Sequence, residues 1–199
     1  MWTALLANQR EAARIVRVYA SDYKDTFPSW GIEKTNLAPL KTDRGTLDMG
    51  WWRQMDHWGL FLTTVGYDGW LSLGPDAGPG SFRQIVNLGS RQAQDMHEMT
   101  GAAFAKPKRF PDGLGETGVS LNIVRTFSEI RFPSAKGVLL ETFPPLGGPR
   151  PIPVSFADGH SEAHLFDELL PGSPNGYSGA IPVLSTIDGV LGRDIGPGS

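Results

Sequence analysis

Residues 153–166 read Pro-Val-Ser-Phe-Ala-Asp-Gly-His-Ser-Glu-Ala-His-Leu-Phe, PVSFADGHSEAHLF. Val154 and Phe156 alternate with Ser155 and Ala157, and Ser161, Ala163 and Leu165 continue a period-two pattern beyond Asp158-Gly159. Successive side chains of an extended chain fall on opposite faces, so both runs read as strands. Asp-Gly tolerates positive φ, and between two alternating runs it predicts a hairpin closed by a type I′ turn. A lone two-stranded ribbon is marginal in water, so this hairpin needs a helix or further strands against its apolar face.

Working outward, Gly137–Phe143 (GVLLETF) predicts a strand of the buried type, entered through a turn at Phe132-Pro133-Ser134. Val119–Thr126 alternates and predicts another strand, whereas Arg91–Thr100 is polar and short and predicts one or two helical turns. Near the N-terminus, Leu5, Leu6, Ala12, Ala13, Val16, Tyr19, Ala20 and Tyr23 recur at three- and four-residue steps. That spacing predicts an amphipathic helix over Thr3–Asp25, within a helical unit of residues 1–26. Arg10, Arg14, Arg17 and Lys24 fall on its other faces and read as a solvated side. Pro28 disfavours helical geometry at Phe27 and ends the helix. Trp51, Met55, Trp58 and Leu62 stand at helical spacing, so Leu47–Thr64 predicts a second helix.

The order is a helix, a loop-rich middle with helical pieces, then consecutive strands, which is the pattern of an α+β fold. The expected architecture is an N-terminal helix packed on an antiparallel β-sheet. One globular domain spans residues 1–170, and a Gly/Pro-rich C-terminal tail over 171–199 lies extended on it or is partly disordered. Tyr19, Tyr23, Phe27, Val138, Leu140, Val154 and Phe156 are the expected core.

Composition narrows the function classes. The chain has 199 residues, 40% of them hydrophobic, enough to bury a core, while 25 Gly and 16 Pro imply many loops. A net charge of −3 gives no electrostatic reason for a nucleic-acid partner. The absence of cysteine removes disulfides, thiolate metal sites and Cys nucleophiles together. No apolar run reaches the roughly 18 residues of a membrane span. Neither a glycine-rich nucleotide fingerprint nor a G-x-S-x-G elbow occurs.

His160-Ser-Glu-Ala-His164 places His160, Glu162 and His164 on one face of a strand, where they could meet a transition metal, although the order differs from the helical H-E-x-x-H motif. Read blandly, they are polar residues on the solvent face of a hairpin. Trp51, Trp52 and Trp58 read either as core packing or as an aromatic platform for a glycan or protein ligand.

Three ordered stretches carry a family resemblance. Residues 8–28 (NQREAARIVRVYASDYKDTFP), Ile130-Arg131-Phe132-Pro133-Ser134 before Val138-Leu139-Leu140, and Phe156-Ala157-Asp158-Gly159-His160 occur in that order. Together they resemble the pseudopilin and type IV pilin-like superfamily, in particular prepilin-type proteins related to the major pseudopilin of type II secretion. The stretch from Gly31 to Gly118 carries no part of the resemblance.

The resemblance implies a structural subunit and not an enzyme. Members are anchored in the inner membrane by an apolar helix of about twenty residues, are cleaved and methylated at the N-terminus, and stack their helices into a filament. Residues 1–199 hold neither that leader nor that anchor, so the chain reads as a soluble fragment of such a subunit or as a relative without an anchor. The implied partners are further copies, other pilin-like subunits and the inner membrane through an absent upstream helix, at the periplasmic or extracellular face. Major pseudopilins also hold Ca²⁺ through oxygen ligands of a C-terminal loop, which singles out Asp158, Asp167 and Glu168 here. Two other classes stay open, a glycan- or protein-binding module built on the tryptophans, and a metal-dependent hydrolase built on His160 and His164.

Overall fold

The computed structural model describes residues 2–29, 40–42, 45–47, 54–67, 97–113, 121–141, 150–174 and 180–196. Its first element is the helix α1 (Trp2–Asp22). Ala12, Ala13, Val16, Tyr19 and Ala20, the residues whose spacing announced the helix, are buried along one stripe. Ala7, Arg10, Arg14, Arg17, Val18 and Ser21 are exposed on the opposite one. Lys24 and Asp25 adopt left-handed backbone, φ 54° and 64°, and Asp25 N–H donates to Ala20 O at 2.7 Å. The helix therefore closes in a left-handed cap before Pro28 is reached. No helix among the described residues is long and apolar enough to cross a membrane.

After a small hairpin of β1 (Leu40–Thr42) and β2 (Gly45–Leu47) comes α2 (Gln54–Thr64). The main sheet has four antiparallel strands, β3 (His97–Met99), β4 (Gly137–Glu141), β5 (Ile152–Phe156) and β6 (Ser161–His164), in that spatial order. The fold is α+β, with an N-terminal helix against an antiparallel sheet.

Both faces of β4 and β5 are covered, which is why every residue of the two strands is buried. On one face lies α1, where Gln9 Nε2 donates to Leu139 O at 3.0 Å and Ser155 Oγ to Gln9 O at 3.1 Å. On the other, the C-terminal segment brings Val183 up to Gly137 and Val154, and Val183, Leu184 and Val190 are all buried. A Cβ added to Gly137 would stand 2.8 Å from Val183 Cγ1 and 2.9 Å from Val154 Cγ1, so a glycine is needed for this close approach. Gly137 opposes Phe156 while Leu139 opposes Ser155, so Val138 is the extra residue of a bulge and the face of each later β4 residue is reset.

The structure corrects several expectations. Phe156 O accepts from Gly159 N–H at 3.0 Å, and of the turn residues only Gly159 has positive φ, at 98°. The hairpin thus closes through Ala157, Asp158 and Gly159, a three-residue loop with the glycine in the bulge position, and not through a type I′ Asp-Gly turn. Tyr23, expected in the core, is 42% exposed and stacks on Tyr19 at 4.4 Å, because it sits at the last turn where α1 leaves the sheet. Tyr19, Phe27, Val138, Leu140, Val154 and Phe156 are buried as expected.

Residues 121–126 form no strand. They run beside residues 101–106, where Lys106 N–H donates to Leu121 O (2.8 Å) and Ile123 N–H to Phe104 O (3.0 Å), a pairing too irregular for a ladder. The polar stretch ending at Thr100 contributes β3 and not a helical turn over 97–99, because pairing with Leu139–Glu141 completes the sheet edge. The second helix is described over Gln54–Thr64, Leu47 belongs to β2, and residues 48–53 lie outside the described residues.

Candidate functional site

The hairpin is the first place to seek chemistry. Strand register sets Glu162 opposite Val154 and His164 opposite Ile152, on the face turned away from α1. The His160 ring stacks on Phe156 with centroids 4.4 Å apart and planes 7° apart, and His164 meets the same ring edge-on at 5.8 Å. His160 Nδ1 lies 2.5 Å from Asp158 Oδ1, which also accepts His160 N–H at 3.2 Å. Asp158 is therefore occupied in fixing the turn, an Asx-type role.

His164 lies between two carboxylates, with Nε2 3.5 Å from Glu162 Oε2 and Nδ1 3.8 Å from Glu168 Oε2. Glu168 Oε2 also accepts Leu165 N–H at 2.9 Å, capping the 3₁₀ turn Phe166–Glu168. Asp167 is exposed on that turn. Among the described residues no three His, Asp or Glu side chains converge on a point where one metal ion would fit. Asp158, Asp167 and Glu168 are thus not brought into one oxygen cage, nor His160, Glu162 and His164 into one nitrogen and oxygen set.

Trp58 is fully buried with Met55 and Leu62, so its ring is core and offers no platform to a ligand. Trp51 and Trp52 lie outside the described residues.

The densest polar constellation was not visible in the sequence. Lys136, just ahead of β4, is wholly enclosed, and its Nζ donates to Asp194 Oδ2 (2.9 Å), Thr186 Oγ1 (2.6 Å), Gly137 O (2.7 Å) and Thr100 Oγ1 (3.1 Å). Asp194 also accepts Gly137 N–H at 2.8 Å, Val183 N–H at 3.2 Å and the Thr186 hydroxyl at 2.6 Å. Burial pushes the Lys136 amine down from its ordinary value, and the Asp194 carboxylate pulls it back up.

This cluster also holds a strained turn. Val183 has φ 68°, and Leu184 N–H donates to Pro182 O at 2.7 Å, a γ-turn of the positive-φ kind that is unfavourable for a β-branched residue. Thr100 Oγ1 donates to Val183 O at 2.6 Å, and Asp194 accepts from Val183 N–H, so both of its backbone groups are pinned. Such strain persists where the surroundings over-determine it. Closed to solvent and with its polar groups paired to one another, the cluster clamps the C-terminal segment to β3 and β4.

A second buried carboxyl, Glu141, ends β4. Burial pushes it up to about 7, against the opposing pull of Arg150. Among the described residues its Oε2 has no hydrogen-bond partner, and neither has Gln9 Oε1.

No family model, no curated protein and no solved structure matches this chain.

Proposed function

We propose that this chain is the globular head of a pilin-like or pseudopilin-like subunit of a bacterial envelope filament or secretion apparatus. The observation that carries the reading is the placement of α1. It lies along a four-stranded antiparallel sheet by one stripe, keeps the opposite stripe outward, and leads into a sheet whose last hairpin bears Phe156-Ala157-Asp158-Gly159-His160. A helix with one stripe fixed to its own sheet can offer the other to neighbouring helices in an assembly. Such a subunit acts through surfaces, and the polar clusters described here serve the turn, the cap and the C-terminal clamp. In this reading an apolar segment upstream of residue 1 anchors the subunit until it is processed and polymerised.

The test is made on the native gene. Its product is expressed with a prepilin peptidase, fractionated, and sequenced from its N-terminus. A membrane-bound precursor shortened by the peptidase supports the reading. A product that starts at Met1 and never enters the membrane fraction overturns it.

A further inference from the structure

The face made by the clamped C-terminal segment has an unusual charge arrangement. Arg131 and Arg193 come from distant parts of the chain and both lie on Phe132, with guanidinium carbons 5.2 Å and 3.9 Å from the ring centroid. The backbone under them is tied down, since Arg131 N–H donates to Val190 O at 3.2 Å and Asp194 N–H to Ala135 O at 2.7 Å. Among the described residues neither arginine has a carboxylate within ion-pair distance.

Leu170 N–H donates to Asp194 O at 2.8 Å, which brings the Phe166–Leu170 segment alongside. Leu170 is 39% exposed and Leu191 43%, so two large apolar side chains are exposed on segments whose backbone is tied to those of the two cations. Asp167, three residues before Leu170, is exposed and has no cationic partner among the described residues. Hydrogen-bonded backbone thus joins segments that carry two cations and a carboxylate, none of them ion-paired among the described residues, and two exposed leucines, the composition of a self-complementary surface.

We infer that this face binds a second copy of the chain about a two-fold axis. Asp167 of each copy lies against Arg131 and Arg193 of the other, with Leu170 and Leu191 packed between them. Guanidiniums already stacked on Phe132 lose little freedom when they pair, which favours the contact. This surface is independent of the outward stripe of α1 and of any filament formed through it.

Sedimentation equilibrium of the chain tests it, together with Arg193→Glu, Arg131→Glu and Asp167→Arg, each checked for native thermal unfolding. The expected result is a dimer that weakens as salt rises. Each single reversal should weaken it by about tenfold or more, since like charges then face each other. Mixing the double variant Arg131→Glu/Arg193→Glu with Asp167→Arg should restore association, because both contacts of the mixed pair are again opposite in sign. A monomer at every concentration, or a dimer indifferent to the reversals and to their mixing, overturns the inference. So does a monomer whose two arginines bind vesicles of anionic lipid instead. None of these outcomes bears on precursor processing, so this inference and the filament reading fail separately.

Discussion

Lys136 Nζ lies 2.9 Å from Asp194 Oδ2, and neither side chain reaches solvent. The pair joins the entry of β4 to a segment 58 residues further along the chain. Two charges removed from water repay their desolvation only if their remaining hydrogen-bonding capacity is met. Here it is met by Thr100, Thr186, Gly137 and the Val183 amide.

Breaking the pair from one side leaves an uncompensated buried charge. Asp194→Ala and Lys136→Met should each cost about 3–5 kcal/mol. The double variant Lys136→Met/Asp194→Leu should lose less than the sum of the two, since no charge is then stranded. Urea unfolding measures all three, and single variants within about 1 kcal/mol of the parent would show that the clamp contributes little.

Glu141 makes stability depend on pH. Its folded-state value, about 7, lies above the ordinary 4.5, so its protonated form favours the fold. That contribution is whole below pH 4.5 and is lost as pH rises through about 7. The urea midpoint should therefore fall between pH 5 and pH 8 in the parent, and Glu141→Gln should flatten this part of the profile. An unchanged slope in the variant would assign the dependence to other groups.

Two glycines should respond to alanine for different reasons. At Gly159 there is open space, and φ 98° alone disfavours a side chain, so Gly159→Ala should cost about 1–2 kcal/mol. At Gly137 the new methyl would strike Val183 and Val154, and the overpacking should cost about 1–3 kcal/mol or more. Combining Gly137→Ala with Val183→Ala should recover stability, whereas combining Gly159→Ala with it should not. Thermal unfolding of the four variants distinguishes the two mechanisms.

Phe27 and Tyr23 flank the end of α1 but differ in burial. Phe27 is 1% exposed and stacks on Phe127 at 4.1 Å, so Phe27→Ala should cost about 3–5 kcal/mol. Tyr23→Ala removes one stacking partner of Tyr19 from a half-open site and should cost about 0.5–1.5 kcal/mol. Equal losses in chemical denaturation would mean that the two aromatics share one packing environment.

The strongly periodic elements were legible in the sequence. The three- and four-residue spacing from Ala12 to Ala20 is a property of the chain alone, and so is the alternation on either side of Asp158-Gly159. Each element forms where that pattern places it. Weak patterns misled, as in 121–126 and at His97–Met99, because pairing partners decide whether a short stretch becomes a strand.

What only the tertiary structure decided is which isolated residues meet. Nothing local distinguishes Lys136 from a surface lysine or Asp194 from a loop aspartate, and their spacing carries no period. The same holds for Arg131 and Arg193 over Phe132, and for the strain at Val183. Local periodicity fixes which face of a helix or strand is apolar, because it acts through neighbours within a turn or two. Buried charge, close backbone approach and surface charge pairing depend on segments far apart in sequence, and those are set only once the core has closed around them.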